Sequence, residues 1–235
     1  MQFKYVITDK VNPYCNLAIE QELMYHTASG IVILFLWQND NTIVIGRNQD
    51  AKYECRVDEF LSTGGQIARR RSGGGAVYHD MGNLNFSIIC KISDQESCKY
   101  QQIVIDTLRK FGIEAIYNGR NDLTIDEKKF SGNAIYQEGE TVCQHGTFLV
   151  STDIDRMVFY LTPDQNKLDR NRIKSVRSRV VNLCTLNNEI NIKSIIRAFI
   201  QVTDASELDY MPNKNMIDEL TNFYRSNAWI YGGKR

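Results

Sequence analysis

The chain has 235 residues, 43% of them hydrophobic and 24% charged, the length and balance of a globular protein that buries a sizeable core as one domain. Lysine plus arginine equals aspartate plus glutamate at 28 each, so no chain-wide field attracts nucleic acid or an anionic membrane, and any cationic site is local. The longest apolar run is far too short to span a bilayer, the N-terminus lacks the apolar core of a signal peptide, and the cysteines form no C-x-x-C or zinc-spaced cluster. That combination points to reduced thiols in a cytoplasmic protein.

Asn12-Pro13 opens the first predicted helix, since Asn caps and Pro suits the first turn. Tyr14, Leu17, Ala18, Gln21, Met24 and Tyr25 share one face of it, with Gln21 a polar interruption. Strands follow at 31–37 and 42–47, joined by the turn Asn39-Asp40-Asn41. A short helix at 57–62 stops at Gly64-Gly65. Residues 66–71, 76–78 and 84–92 are strand-like, with a glycine turn between the first two. Helical spacing over 100–111 ends at Gly112. Strands are expected at 114–117, 123–125, 129–136 and 141–151, with turns at Asp126-Glu127 and Glu138-Gly139. Helices close the chain near 153–161, 192–202 and 215–225. Many strands joined by short turns favour an α+β fold with mixed or antiparallel sheets over a doubly wound parallel one. The whole of 1–235 is expected to form a single domain.

Two stretches carry chemistry. Residues 69–87 read "RRRSGGGAVYHDMGNLNFS". Glycines let the main chain approach a ligand, successive N–H groups can bind phosphate oxygens, and arginine adds a planar cationic fork. On a strand, Arg69 and Arg71 face one way and Arg70 the other, so only part of the triplet enters any one pocket. No P-loop spacing occurs. A plain glycine hairpin with solvated arginines is the structural alternative. In the second stretch, Lys129 follows a turn and precedes Ser131-Gly132-Asn133-Ala134, small residues that leave room for a ligand beside a compact cation.

In order, "RRRSGGGAVYHDMGNLNFS", "GRNDL", "KKFSGNAIY" and "QHGTFLVS" resemble the catalytic domain of the lipoate–protein ligase family. "NPYCNLAIEQEL", "NTIVIGRNQ", "SVRSRVVNL" and "WIYGG" are similar to it too, so the resemblance covers nearly the whole chain. It implies a large mixed β-sheet, a smaller sheet and flanking helices. The implied activity has two steps: lipoate attacks the α-phosphate of ATP to give lipoyl-AMP and pyrophosphate, and a lysine of a lipoyl carrier domain then takes the acyl group and expels AMP. Implied partners are the lipoyl domains of 2-oxoacid dehydrogenase E2 subunits and the glycine cleavage H protein, with no nucleic acid and no membrane.

The resemblance assigns Arg70 to the nucleotide or its phosphate and Ser72, Gly73, Gly74, Gly75, Ala76, Val77 and Tyr78 to the adenylate. Lys129 would touch the lipoyl carbonyl and the α-phosphate as an electrostatic stabiliser. Asp122 would help hold Mg²⁺, unless it only caps a turn. His79 and His145 would pack against the ligand or bond to backbone, and Asn83 and Asn85 would organise the neighbouring loop or strand. Longer ligases of the family continue past "WIYG" into an accessory domain, whereas this chain ends at Arg235. A truncated form, a natural single-domain ligase, or a lipoyl-AMP-dependent subunit needing a separate small partner would each fit. The rivals are an octanoyl or lipoyl transferase using a Cys143 thioester, biotin–protein ligase, and a non-catalytic binder of lipoate or lipoylated domains.

Overall fold

A computed structural model of the chain describes residues 1–117, 122–161, 180–209 and 212–232. In chain order its strands are β1 (Gln2–Ile7), β2 (Ile31–Trp37), β3 (Thr42–Ile45), β4 (Gln66–Arg69), β5 (Val77–His79), β6 (Asn83–Lys91), β7 (Ile116–Tyr117), β8 (Asp122–Ile125), β9 (Lys128–Glu138), β10 (Thr141–Leu149) and β11 (Ser206–Glu207). The helices are α1 (Pro13–His26), α2 (Ala51–Glu54), α3 (Val57–Ser62), α4 (Gln95–Cys98), α5 (Tyr100–Arg109), α6 (Ile154–Tyr160), α7 (Ile192–Thr203), α8 (Lys214–Arg225) and α9 (Asn227–Tyr231).

Eight strands form a large mixed sheet in the order β11-β1-β2-β6-β10-β9-β8-β7, and β4-β3-β5 form a small one. In the large sheet β1 runs parallel to β2 and β11, while β2, β6, β10 and β9 are antiparallel neighbours. The α+β architecture of two sheets with flanking helices is therefore present. The apolar run Ile31–Trp37 is central because both of its faces are covered. Val32, Leu34 and Leu36 enter a core shared with α5 and α7, while Ile33, Phe35 and Trp37 enter a second core beneath α1 and Tyr224. Each such Leu or Phe contributes roughly 1.5–3 kcal/mol by leaving water. A third core joins the small sheet to Phe60, Tyr160 and Ile230.

The helix starts follow the expected chemistry. Asn12 accepts from the amides of Tyr14 and Cys15, and Pro13 occupies the first turn. On the expected apolar face of α1, Leu17, Ala18, Gln21 and Met24 are buried, but Tyr25 is half exposed. The helix also buries Asn16, Glu20 and Glu22, so its interior side is strongly polar. Short elements without clear periodicity escaped the sequence: β1, α2, α4, β11 and α9. The expected 66–71 strand ends at Arg69, and the 76–78 strand starts one residue later and runs to His79. Residues 119–121 of "GRNDL" and most of "SVRSRVVNL" lie outside the described residues.

The glycine hairpin alternative is overturned. Strands β4 and β5 do not pair with each other but lie on opposite sides of β3, so residues 70–76 cross the end of that strand as a loop. Nor are the arginines solvated. Arg69 is 2% exposed, and its guanidinium donates to the carbonyls of Gly46, Arg47, Gln49, Trp229 and Ile230 at 2.5–3.0 Å. The indole of Trp229 returns a bond to the Arg69 carbonyl at 2.8 Å. One side chain thus ties the β3–α2 loop, the glycine loop and the "WIYG" segment together. Replacing it by Met would strand several carbonyls, at roughly 1–3 kcal/mol for each one that stays buried. Arg69→Met should lower the stability measured by urea unfolding by several kcal/mol in total, and a shift below about 1 kcal/mol would contradict the clamp.

Candidate active site

Arg70 points opposite to Arg69, into the loop itself. Its guanidinium donates to Ser72 Oγ (3.0 Å), the Val44 carbonyl (3.0 Å), and the carbonyls of Gly73 (2.7 Å) and Gly75 (2.9 Å). Burial pulls its pKa down to about 10, against the favourable pull of Glu54 and Glu20. Arg70 lines the cavity, but four of its donor contacts already shape the loop around its own fork. Gly74 has φ +93°, a conformation that L side chains rarely adopt. Gly46 lies against the Gly74 carbonyl oxygen, so a Cβ there would overlap it. The amide of Ala76 is engaged by Glu54 Oε2 at 2.9 Å, so a protein carboxylate already occupies one of the expected anion donors.

Strand alternation sorts the residues of β5. Val77 and His79 face the cavity, while the intervening Tyr78 points into the third core, edge-on to Phe60 at 6.2 Å. Tyr78 was expected to line the adenylate; its side chain is directed away from the cavity. Asn83 is buried and donates to Asn85 Oδ1 at 3.0 Å, and Asn85 rather than Asn83 reaches the cavity. Ser72 and Gly73 support the loop from behind and are also absent from the cavity wall.

The opposite wall comes from β8 and β9. Ile125 and Lys128 pair across a two-residue turn in which Asp126 and Glu127 have φ of +47° and +63°, the pattern of a tight hairpin. The next residue, Lys129, is fixed by a backbone bond from Val181 at 3.0 Å and places Nζ 2.8 Å from Asp122 Oδ1. A Cβ on Gly132 would fall 2.9 Å from that Nζ, so the small residue is what lets the lysine lie along its own strand. Both sides of the ion pair are about one-third exposed, at 37% each.

One cavity of about 280 Å³ joins these parts. Gly74, Gly75, Ala76 and Val77 form one side, Asp122, Lys129 and Gly132 another, and Leu17, Trp37 and Val44 supply an apolar region. His145 and Asn133 complete the wall beside Gly146 and Thr147. The glycine bend and the lysine, some fifty positions apart in sequence, therefore face the same space. Asp122 is the carboxylate on this wall, and one carboxylate beside a polyphosphate is an ordinary setting for Mg²⁺, which keeps several waters and uses few protein ligands.

His145 is hydrogen-bonded on both ring nitrogens: Nε2 to Ser72 Oγ at 2.6 Å and Nδ1 to Glu20 Oε2 at 2.9 Å. His79 is buried beside Trp37, their rings edge-on at 6.4 Å. Asn16 Nδ2 donates to Asn39 Oδ1 (3.0 Å), which leaves Asn39 Nδ2 to donate to His79 Nδ1 (3.2 Å). The His79 hydrogen therefore sits on Nε2. Asn85, expected like Asn83 to organise the neighbouring loop or strand, lines the cavity. Glu20 and Trp37 were not picked out from sequence; a run of polar residues inside the apolar pattern of α1 was the available signal for Glu20, and nothing local marked Trp37.

Cys143 lies on β10, fully buried, and is not part of the cavity wall. Burial and the neighbouring Glu20 hold its pKa well above the usual thiol range, the reverse of what an attacking thiolate needs.

Comparison with known proteins gives the class to which this fold and cavity belong. The family model for the lipoyl protein ligase A/B catalytic domain matches residues 12–203, and the chain belongs to that family. A curated lipoate-protein ligase A from Blochmanniella floridana is 36% identical over 97% of this chain and 72% of its own length. One from Bdellovibrio bacteriovorus is 36% identical over 98% of this chain and 72% of its own length. Among solved structures, a lipoate-protein ligase A bound with ATP superimposes with TM-score 0.83 at 26% identity, covering 99% of both chains. The ligase of a bi-partite archaeal lipoylation system from Thermoplasma acidophilum gives 0.81 at 28%, covering 100% of this chain and 97% of that one.

Burial, and then Arg70 and His145, depress the His79 pKa to about 3. An unfolded chain binds that proton near pH 6.5, so between about pH 6.5 and 3 the unfolded state holds more protons and stability falls as the pH is lowered. The loss contributed by this one group should be on the order of 5 kcal/mol across the window. His79→Gln cannot charge and should flatten that limb of the stability–pH curve; an unchanged slope in the folded variant would contradict the assignment.

Proposed function

We propose that the cavity holds lipoyl-AMP, with the acyl chain against Leu17, Trp37 and Val44, the mixed anhydride beside Lys129, and the phosphate at the glycine loop. The chain's activity as an ATP-dependent lipoate–protein ligase follows from its family and from relatives of that name. The observation that carries the finer reading is the shared cavity: a side-chain-free bend and an ammonium face each other across a space with an apolar side.

In the first step a lipoate carboxylate oxygen attacks the α-phosphorus of ATP. An O–P bond forms, the bond to the β-phosphate oxygen breaks, and pyrophosphate leaves. Lys129 opposes the charge that builds on the α-phosphate oxygens. In the second step the carrier lysine attacks the acyl carbon and loses a proton, the acyl–phosphate bond breaks, and AMP departs. Here Lys129 polarises the carbonyl oxygen. Asp122 positions Lys129 and would hold Mg²⁺ with the phosphates; when bound, the ion neutralises phosphate charge. Arg70 acts chiefly by holding the loop amides in place. Placing the anhydride between the two sheets shields it from water.

Lipoyl carrier domains of E2 subunits and of the glycine cleavage H protein are the proposed acceptors. A neighbouring structure includes an archaeal ligase with its E2 lipoyl domain, which supports the first of these. That ligase is described as bi-partite, and this chain covers nearly all of the one chain it matches there, so a second reading has support: adenylation that depends on a separate accessory part. One domain, 1–235, would then carry transfer by itself. No described helix is long and apolar enough to cross a membrane, and all six cysteines are free, which suits the proposed cytoplasmic setting.

Incubation with lipoate, ATP-Mg²⁺ and an apo carrier domain should add one lipoyl group by mass and release AMP. Product formed only from supplied lipoyl-AMP would favour the accessory-part reading, and an unchanged carrier in both arms would leave only a binder. Lys129→Ala should cut acyl transfer by a factor of about 10² or more in a well-folded protein. Cys143→Ala should retain transfer within about threefold, because a thiol held protonated and off the cavity wall attacks nothing. Loss of activity in the folded Cys143 variant would revive the thioester route.

A further inference from the structure

Behind the cavity, Glu20, His145 and Ser72 are linked in the order used by hydrolytic triads. Ser72 Oγ lies 2.6 Å from His145 Nε2, and His145 Nδ1 lies 2.9 Å from Glu20 Oε2. Yet Ser72 is 1% exposed and its hydroxyl is absent from the cavity wall. The same oxygen receives Arg70 Nε–H at 3.0 Å. A serine placed to attack would present that oxygen to the cavity, and this one is walled in.

The chain of contacts has a direction. A guanidinium only donates and an ionised carboxylate only accepts. With the imidazole neutral, Arg70 Nε–H points to Ser72, the Ser72 hydroxyl to His145 Nε2, and His145 Nδ1–H to Glu20. Both ends are tied down further. Arg70 also grips the Gly73 and Gly75 carbonyls at 2.7 and 2.9 Å. Glu20 Oε2 receives the Ser87 hydroxyl at 2.5 Å, and Ser87 Oγ receives the Trp37 indole N–H at 3.1 Å. The Tyr136 hydroxyl reaches Glu20 Oε1 at 3.4 Å. Burial opposes charge on Glu20, but His145, Ser87 and Cys143 outweigh it and hold the carboxyl below its usual range.

We infer that Glu20 is a positioning residue: through His145 and Ser72 it orients Arg70, and thereby holds the Gly73–Gly75 loop in its ligand-ready shape before nucleotide arrives. The glycines need such a device because they bring no side chains of their own to pack. Linked hydrogen bonds polarise one another, so an anion at one end strengthens the grip at the other. The same carboxylate anchors Ser87 and Trp37, which couples the loop to the apolar side of the cavity. Nothing is consumed in this role; Glu20 touches neither the ligand nor the reacting atoms.

The inference rests on the lipoyl-adenylate reading for its kinetic consequence, but its structural half can be tested without ligand. Amide hydrogen exchange at Arg47 and Ala76, whose N–H groups bond the Ser72 carbonyl and Glu54 Oε2 at the two ends of the loop (both 2.9 Å), should be slow in the free wild-type protein and accelerated by about tenfold or more in Glu20→Gln and in Ser72→Ala. Nitrogen-15 spectra of labelled histidine should show His145 with hydrogen on Nδ1 in wild type and a changed ring signal in Glu20→Gln. The ATP KM for adenylation (or for ATP–pyrophosphate exchange) should rise about tenfold in each variant, with a smaller change in kcat. The double variant should be no worse than the poorer single one, because both cut the same chain. Glu20→Asp keeps the charge and should recover part of the protection.

Unchanged loop protection in folded Glu20→Gln, or additive effects in the double variant, overturns the inference. Should the Glu20 variants not fold, Ser72→Ala cuts the chain at its other end and decides alone. Stoichiometric labelling of Ser72 by a fluorophosphonate would make it a nucleophile and overturn the inference as well. If wild type shows the protected loop and the expected ring signal but neither binds nor uses ATP, the adenylate reading fails while the positioning role stands.

Discussion

A loop rich in glycine can approach a ligand closely only because it has no side chains, and for the same reason it cannot hold itself in shape. In this protein two buried guanidinium groups do that work. Arg69 gathers carbonyls from two separate segments, 46–49 and 229–230, and Arg70 wraps the loop's own carbonyls around its fork. Burying a cation carries a heavy desolvation cost, visible in the lowered pKa of both groups. Carbonyl partners and the distant carboxylates Glu54 and Glu20 offset it for Arg70. The outcome is a rigid main-chain surface whose stability depends on residues behind it rather than within it.

The third arginine extends the same logic outward. Arg71 donates to Gln21 and to the Tyr224 hydroxyl, both at 3.0 Å, and lies near the rings of Phe223 and Trp229 at 5.6 and 5.9 Å. Arg69 and Arg71 thus fasten the small sheet to the first helix and the last two helices, while Arg70 between them holds the loop. The large sheet presents its own side of the cavity through β6, β8, β9 and β10: regular pairing fixes Asn85 and His145 in register, and Lys129 pairs with Thr124 at an irregularity between β8 and β9. The cavity lies where this sheet meets the glycine loop. That division places the charged groups on rigid strands and the main-chain donors on a loop.

Much of the site was legible in the chain. Gly74 and Gly75 followed by an apolar pair, and a lysine two residues before a small-residue run, line the cavity, and what marked them was their occurrence together in the order of a known family. Other side chains are placed differently from what the linear pattern suggests. Tyr78 belongs to the right segment but to the wrong face of a three-residue strand, and one residue of offset decides that. Arg70 carries the charge suited to a phosphate, yet its donors are largely spent on carbonyls that no linear pattern reveals. Glu20 was hidden because a polar residue within an amphipathic helix looks like its solvent side; α1 is covered on both sides, so this one is internal.

Alternation, turn residues and caps determined locally which segments become strands and helices, because those preferences depend on neighbours a few positions away. The buried seven-residue run of β2 likewise announced a central strand, since only a strand covered on both faces tolerates such continuity. What the linear order left open was partnership. That β4 and β5 flank β3 instead of pairing, that Arg69 closes on Trp229 and Ile230, and that Glu20 reaches His145 across 125 positions are products of packing two sheets together. Hydrogen bonds between distant residues are selected by the whole fold at once, because a buried donor must take whichever acceptor the completed structure brings within reach.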